Sequence, residues 1–284
     1  MTTIEEIRNS ALYQATSIPN AIEIYEKSLL ELGDLNSIAH AKRLERNRLE
    51  MINREYLLEL REYFNEIYTL INAKYENIRF VIVGRRKSFI STDNKILKLI
   101  RENRSLDLLR DTNAFRIMLF GKSSPELITS CYLIMNDIIK HFIKKGLILC
   151  EADPVSQTEN FDKSNHKILL PEKSYILDEF LYGVKDYVLN PKENGYQSLH
   201  TVFRTDSGEC FEVQVRTYDM HLYAESGEAS HKRYKTKKYN GANLISFDRS
   251  KIHIPGYGVS DEGVLFDFVG LEQALEILRR HKTF

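Results

Sequence analysis

Two short β-like runs joined by a tight-turn sequence constrain the fold of this chain more than any other feature. Leu199–Arg204 and Cys210–Thr217 are rich in residues that favour strands. Asp206, Ser207 and Gly208 lie between them and are typical of a hairpin turn. The sequence therefore predicts an antiparallel pair of strands.

The second run is predicted to be polar on one face and apolar on the other. Successive side chains of a strand point to opposite sides of a sheet. A face that presents a carboxylate, an amide and a guanidinium together favours binding of a charged ligand. The apolar face consists of Phe211, Val213 and Val215, and the polar face of Glu212, Gln214 and Arg216.

The segment from Lys185 to Lys235 contains, in order, the motifs KDY, NPK, NGYQSLH, EVQVRT, MH, AE and YK. This series resembles the synthetase domain of RelA/SpoT-type alarmone synthetases. The resemblance implies an α+β fold: a nucleotidyltransferase-like mixed β-sheet flanked by helices, with a helical N-terminal extension. It also implies transfer of the β,γ-pyrophosphate of ATP to the ribose 3′-hydroxyl of GDP or GTP, which makes (p)ppGpp.

Composition is compatible with a cytoplasmic enzyme. Apolar residues make up 43% of the 284 residues, and the formal net charge is zero, which argues against non-specific coating of nucleic acid. No apolar run approaches the length of a membrane span, and the N-terminus does not resemble a secretory signal. Three cysteines without CxxC spacing indicate reduced thiols.

The chain is predicted to comprise an N-terminal helical extension, a synthetase domain and a C-terminal extension. Apolar residues such as Leu49, Tyr56 and Ile71 recur at helical spacing, and no proline or glycine interrupts residues 34–75, which predicts one long helix. Compared with the family, extra residues are expected within 121–183. The absence of a His-Asp dipeptide implies that the family's hydrolase domain is missing. The predicted boundaries are 1–75, 76–235 and 236–284.

Further elements are predicted from local patterns. Ser124, Pro125 and Glu126 indicate a helix start, with the helix ending at Gly146. The predicted strands are Ile78–Val83, ending in a turn at Gly84, then Ala114–Phe120, Leu147–Ala152, Val184–Val188 and Val264–Val269. The remaining predictions are helices at Lys95–Arg104, Tyr218–Lys235 and from Leu271, and loops at Asp153–Asn165 and Pro255–Gly263.

A basic segment is the candidate ATP site. Between Arg79 and Arg104 there are eight Lys or Arg residues and two acids, a pattern that by itself suits either a triphosphate or a solvated basic face. By the resemblance, Arg85 packs on adenine, and Lys87, Ser91 and Lys95 hold phosphates. Arg86 has no counterpart in the motif and is interpreted as solvent-facing.

Two carboxylates are the candidate metal ligands. Asp111 precedes a predicted strand that contains Arg116, and in isolation it fits a turn or capping role equally well. The resemblance makes Asp111 and Glu212 ligands of Mg²⁺, an ion that prefers one or two carboxylates plus substrate phosphates. It also makes Arg116 a second arginine near adenine. Glu212 is in addition a candidate acceptor of the proton of the attacking hydroxyl.

The NGYQSLH loop is the candidate acceptor site. Tyr196 follows a glycine that permits a tight turn. Without the motif, a core tyrosine would be the better interpretation, since the chain has 16 tyrosines. By the resemblance, Tyr196 stacks on the acceptor base. The other predicted contacts to the acceptor nucleotide are Lys185, Lys192, Asn194, His200, Gln214 and Arg216. Gln197, Ser198 and His221 are assigned structural roles.

Two alternatives remain open. A toxin-like synthetase would pyrophosphorylate adenine nucleotides or the 3′ end of tRNA, and the basic cluster Lys232–Lys238 offers a surface for tRNA. The expected insertion within 121–183 also makes a toxin with a neutralising protein partner conceivable. A non-catalytic nucleotide sensor is the second alternative, although the full set of motif residues argues against it. Homo-oligomerisation is left open.

Overall fold

The computed structural model describes residues 3–15, 18–121, 124–152, 169–226, 257–260 and 263–266. The helices are α1 (Ile4–Gln14), α2 (Ile18–Leu32), α3 (Leu35–Ile52), α4 (Arg54–Lys74), α5 (Phe89–Arg101), α6 (Pro125–Lys145) and α7 (Tyr218–Ser226). The strands are β1 (Arg79–Lys87), β2 (Asn113–Phe120), β3 (Ile148–Leu149), β4 (Val184–Asp186), β5 (Leu199–Arg204), β6 (Cys210–Thr217), β7 (Tyr257–Ser260) and β8 (Gly263–Phe266). Helices and a mixed sheet occur together, so the predicted α+β class is confirmed.

The chain forms two compact units. The first comprises described residues of 1–62, 85–113 and 245–267, and the second comprises those of 63–84, 114–244 and 268–284. The domain boundaries predicted at residues 75 and 235 stay predictions.

The second unit is built on a mixed sheet. Its strands follow the order β3–β5–β6–β2–β1, and β4 pairs with β5 outside this path. The β5 and β6 strands are antiparallel with Leu199 opposite Val215, which confirms the predicted hairpin. The β2 and β6 strands are parallel, with Ala114 opposite Glu212 and Arg116 opposite Gln214. This register places Arg116 of β2 beside Gln214 on the polar face of β6.

Helix α6 covers this sheet with an aromatic core. Its capping prediction is confirmed: Ser124 accepts a hydrogen bond from the Leu127 amide, and Gly146 ends the helix with φ 103°. Phe142 of α6 is fully buried. Its ring centroid lies 5.0 Å from that of Phe203 and 5.6 Å from that of Phe211. This packing gives β5 and β6 a rigid backing.

The first unit contains helices α1–α3, the N-terminal part of α4, and α5. The expected single helix over residues 34–75 is wrong, because Asn53 separates α3 from α4. Asn53 has extended ψ, and its side chain accepts a hydrogen bond from the Tyr56 amide, so it caps α4. Tyr56 and Ile71 are buried as predicted, whereas Leu49 is 50% exposed.

Two element boundaries differ from the predictions near the candidate ATP site. The β1 strand continues past Gly84 to Lys87, so the GRRK sequence is extended and not a turn. Helix α5 begins at Phe89, six residues before the predicted Lys95, because Ser88 caps it by accepting from the Ser91 amide. The basic residues therefore lie at the end of β1 and in α5, which begins two residues later.

The remaining predictions of strands, loops and helices are partly confirmed. The β2 prediction is confirmed, β3 and β4 are shorter than predicted, and strand β7 lies within the predicted loop Pro255–Gly263. Predictions for Asp153–Asn165, for the helix beyond Ser226 and for the final helix lie outside the described residues. No helix in the described part of the chain is long and apolar enough to cross a membrane.

Phe142→Ala is expected to lower the free energy of unfolding by about 3–5 kcal/mol, because it removes a fully buried ring from the aromatic core. Urea denaturation measures this loss. Ile143→Ala is the matched control, since Ile143 is the next residue and is 41% exposed. Equal losses for the two variants would contradict the role assigned to Phe142.

Candidate functional site

Lys87, Lys95 and Asp111 form one charged cluster in the first unit. The Lys87 Nζ lies 2.6 Å from Asp111 Oδ2, and the Lys95 Nζ lies 2.7 Å from Asp111 Oδ1. The Asp111 side chain is 25% exposed. Two ammonium groups and one carboxylate leave a net positive charge, which suits an anionic ligand such as a polyphosphate.

The electrostatics of Asp111 favour its ionised form. Burial alone would raise the pKa of this carboxyl, but the ammonium groups of Lys87 and Lys95 outweigh burial and hold the pKa well below its usual range. Each carboxylate oxygen accepts one ammonium and has lone-pair capacity left for a metal ion.

Helix α5 begins at Phe89, two residues after Lys87 of this cluster. Lys87 ends β1, Ser88 caps the helix, and the Ser88 hydroxyl donates to Ser91 Oγ at 2.9 Å. The first turn of a helix presents unpaired amides and a positive dipole end, which together favour phosphate. The predicted phosphate ligands Lys87, Ser91 and Lys95 therefore all belong to one strand-to-helix junction.

A buried ion network anchors α5 to the N-terminal helices. Asp93, which is fully buried, accepts a hydrogen bond from Arg8 Nη1 of α1 at 2.7 Å. Its other carboxylate oxygen lies 2.6 Å from His40 Nε2 of α3. Asp93 lies between Ser91 and Lys95 in the sequence, so this network fixes the helix that presents them. Sequence patterns gave no indication of it, because its members are far apart along the chain.

In the second unit, a chain of hydrogen bonds connects residues that are predicted to bind the acceptor nucleotide with Glu212 and Arg116. Tyr196 Oη lies 2.9 Å from His200 Nε2, and His200 Nδ1 lies 2.8 Å from Glu212 Oε1. Gln214 Nε2 donates to Glu212 Oε2 at 2.6 Å, and Arg116 Nε donates to Gln214 Oε1 at 3.2 Å. Glu212 is thus held by side chains from β5 and β6 and is the centre of this cluster.

The two aromatic members of this chain influence each other's ionisation. Burial lowers the pKa of His200, but Tyr196 and Glu212 outweigh it and raise that pKa above its ordinary value. Burial raises the pKa of Tyr196, but His200 and then Arg216 outweigh it and lower that pKa. A protonated His200 donates from both ring nitrogens, which orients Tyr196 and Glu212 at once.

The loop that carries Tyr196 is shaped by a glycine. Gly195 has φ 76°, and a Cβ at this position would lie 2.8 Å from the Tyr223 ring. The backbone conformation therefore favours glycine, and any larger residue would also displace the Tyr223 ring. Asn194 Oδ1 accepts from the Tyr196 amide at 3.3 Å, which completes the turn. The prediction that this glycine permits a tight turn is confirmed.

Cations surround the Tyr196 ring. Lys192 Nζ lies 4.8 Å from its centroid and 4.5 Å from the centroid of Tyr187, a residue to which the motif analysis assigned no role. The Arg216 guanidinium carbon lies 5.9 Å from the Tyr196 centroid. Lys192 is exposed, whereas Arg216 is fully buried and pairs with His221 Nδ1 at 2.6 Å. This pairing agrees with the structural role predicted for His221.

The remaining predicted residues have defined places. Lys185 lies opposite His200 in the β4–β5 pair, and Arg85 lies opposite Leu265 in the β1–β8 pair. Gln197 donates to the Val188 carbonyl, and Ser198 donates to the Val215 carbonyl, so both support the loop as predicted. Nucleotide contacts by all of the predicted site residues stay predictions.

Arg86 was wrongly interpreted as solvent-facing. Its side chain is only 2% exposed, and it donates from Nη1 to Asn113 Oδ1 and from Nη2 to the Asn47 carbonyl, each at 2.9 Å. Strand alternation turns Arg86 away from Arg85 and Lys87, and α3 covers that side. Arg86 is therefore a buried link within the first unit.

The donor set fits Mg²⁺. No group of three or more His, Cys, Asp or Glu side chains within the described ranges is arranged to hold a metal ion. A Mg²⁺ site does not require such a group, because one or two carboxylates suffice when substrate phosphates and water complete the coordination. Asp111 and Glu212 are carboxylates of the required type. Their joint ligation of one ion remains a prediction.

Comparisons with known proteins agree with these features. The family model described as the region found in RelA / SpoT proteins matches residues 84–239, more than half of the chain. The chain belongs to the RelA/SpoT family. The match begins at Gly84, so it includes the basic junction, Asp111 and the whole β5–β6 hairpin.

Several RelA/SpoT relatives have curated names. A GTP pyrophosphokinase of Escherichia coli (strain K12) is 30% identical over 193 residues, which cover 67% of this chain and 20% of that protein. A probable chloroplastic GTP diphosphokinase of Oryza sativa subsp. japonica is 61% identical over 51 residues, 18% of this chain and 7% of that protein. The chain thus spans about a fifth or less of the length of these two relatives.

One solved structure to which the chain is similar is the small alarmone synthetase 1 of Bacillus subtilis bound to its product pppGpp. It has 21% sequence identity and a TM-score of 0.39, and the alignment covers 68% of this chain and 82% of that chain.

Asp93→Asn is expected to lower the free energy of unfolding by about 3 kcal/mol or more, because it removes the buried carboxylate partner of the Arg8 guanidinium. Urea denaturation at neutral pH provides the measurement. Glu5→Gln is the matched control, because Glu5 also pairs with Arg8 but is 59% exposed. A loss below about 1 kcal/mol for Asp93→Asn would contradict the anchoring role.

Proposed function

We propose that this protein is an alarmone synthetase that transfers the β,γ-pyrophosphate of ATP to the ribose 3′-hydroxyl of GDP or GTP. The observation that carries the proposal is the Lys87–Asp111–Lys95 cluster at the start of α5. Membership of the RelA/SpoT family and the names of the GTP pyrophosphokinase relatives support it.

ATP binding is assigned to the first unit's basic junction. The ammonium groups of Lys87 and Lys95 and the amides at the α5 N-terminus neutralise and orient the triphosphate. Arg85 and Arg116 are the predicted contacts to adenine. Mg²⁺ held by Asp111 and Glu212 would neutralise charge on the phosphate oxygens as pyrophosphate is transferred.

Acceptor binding is assigned to the second unit's hydrogen-bonded chain. Tyr196 offers a ring for stacking on the acceptor base, and Lys185, Lys192 and Asn194 are predicted to contact its phosphates and ribose. Glu212, held by His200 and Gln214, is a base for the 3′-hydroxyl proton. A bond forms between the 3′-oxygen and the β-phosphorus, the bond from that phosphorus to the α,β-bridging oxygen breaks, and AMP leaves.

Incubation with γ-³²P-ATP and Mg²⁺ tests the reaction. GDP, GTP, ADP, AMP and total tRNA are offered in parallel as acceptors. Label on GDP or GTP is the expected result, with AMP formed in equal amount. Label only on tRNA or an adenine nucleotide would overturn the guanine assignment, and no label on any acceptor would overturn the proposed activity.

Asp111→Ala and Glu212→Ala are each expected to lower kcat by at least ~10²-fold, because each removes a charge that acts on the phosphates being transferred. Neither substitution removes a side chain from the hydrophobic core. Circular dichroism is expected to show an unchanged fold. Asp107→Ala and Asp206→Ala are the matched controls, since both aspartates are exposed and near in sequence. Normal turnover in either site variant would disprove the metal assignment.

Tyr196→Ala is expected to raise the KM for the acceptor by ~10-fold or more while the KM for ATP changes little, because one base–aromatic stack is lost. Tyr196→Phe keeps the ring and is expected to retain most acceptor affinity. Steady-state kinetics with each substrate varied gives both constants. Equal losses for the two nucleotides would contradict the stacking role.

A further inference from the structure

The backbone before Asp111 is held by an arginine of α3. Arg43 Nη2 donates to the Leu109 carbonyl at 2.6 Å, and the Arg43 side chain is only 9% exposed. A hydrogen bond from a charged donor to a buried carbonyl is short and directional. The segment is therefore fixed two residues ahead of the carboxylate.

The backbone after Asp111 is held by the arginine of β1. Arg86 reaches both the Asn113 side chain and the Asn47 carbonyl of α3. Asn113 in turn donates from Nδ2 to Tyr56 Oη at 3.1 Å. Only a planar guanidinium fork can serve two acceptors in this way, and a lysine ammonium offers a single centre.

A single buried glutamate joins the two arginines. Glu50 of α3 is 5% exposed; its Oε1 lies 3.6 Å from Arg43 Nη1, and its Oε2 lies 3.9 Å from Arg86 Nη2. Thr112 Oγ1 donates to the same Glu50 Oε2 at 3.3 Å. The Thr112 carbonyl accepts from the Lys87 amide at 2.8 Å. Residues on both sides of Asp111 are thus connected to α3 and to the strand end that carries Lys87.

We propose that Arg43, Glu50, Arg86 and Asn113 form a brace that positions the Asp111 carboxylate between Lys87 and Lys95. This inference rests on the proposed function, since it assigns the brace a role in the transfer reaction. The four residues act through Asp111 and are positioning residues. The N-terminal helices are on this account part of the ATP site and not merely an extension.

The cost of losing the brace follows from geometry. Asp111 contacts both lysines at 2.6–2.7 Å, so a small shift of its backbone changes the spacing of three charged groups together. Misplacement of a catalytic group by about 1 Å lowers rates by up to ~10²-fold. The acceptor residues belong to the second unit.

Amide hydrogen exchange tests the brace without any need for activity. Arg86→Lys and Glu50→Gln are expected to speed exchange of the Lys87 amide by ~10-fold or more, because its acceptor, the Thr112 carbonyl, is released. Arg48→Lys and Glu26→Gln are matched controls: they make the same changes in an ion pair between α3 and α2 that does not involve residues 109–113. Unchanged Lys87 exchange in both brace variants would overturn the proposal.

Kinetics tests the role in transfer. In the brace variants kcat is expected to fall ~10–100-fold while the KM for GDP stays within about twofold, whereas both controls keep the parent values. Faster exchange with unchanged kcat would reduce the brace to a purely structural network and overturn the positioning claim. An equal fall of kcat in the control variants would also overturn the positioning claim.

Failure of the proposed function gives a different result. In that case the unmodified protein transfers no label to any acceptor, and the brace is judged by exchange and by affinity for ATP with Mg²⁺, measured by calorimetry. Weaker ATP binding in the brace variants alone supports positioning of the cluster. Equal ATP affinity in the brace variants, the controls and the parent overturns it.

Discussion

The carboxylate of Asp111, shared by two lysine ammonium groups, is the interaction on which the account depends. It joins the end of β1 to helix α5 and holds the ammonium groups of Lys87 and Lys95 at 2.6 Å and 2.7 Å from one carboxylate. Two ammonium groups beside the same site repel each other, and an anion that contacts both offsets this repulsion. Asp111 is this anion in the free protein, and polyphosphate and a divalent cation would share the same charges in the complex.

The two units contribute different physical resources. The first unit supplies buried ion networks, with Asp93 holding α5 and Glu50 holding the Asp111 segment. Burying charged groups costs desolvation free energy, so such networks add little net stability. Their role here is to fix the positions of α5 and of the Asp111 segment. The second unit supplies an aromatic core behind β5 and β6, which gives the Tyr196–His200–Glu212 chain a rigid support.

Local patterns predicted the elements whose signals are local. The β5–β6 hairpin follows from alternation and Gly208, and α6 follows from Ser124 and Gly146, because caps and turns depend on a few neighbouring residues. The break at Asn53 was missed because asparagine is tolerated within helices as well as at caps. The motif series placed candidate residues that no periodicity argument would have separated from ordinary surface charge.

Burial of charged residues was beyond local patterns. Alternation in β1 indicates that Arg86 faces away from Lys87, but it does not reveal that α3 covers that side. Arg43, Glu50 and Asp93 are likewise recognisable only when distant segments are in contact, as in the pair formed by Arg8 and Asp93. Each of these residues has a partner tens of residues away, and a pattern within one element does not predict such a contact.

The most direct test of the central claim is a crystal structure with a non-hydrolysable ATP analogue and Mg²⁺. The account predicts that the ammonium groups of Lys87 and Lys95 contact the phosphates and that an Asp111 oxygen coordinates the metal ion. Phosphates bound elsewhere, with the Lys87–Asp111–Lys95 cluster unchanged and free of ligand, would contradict it.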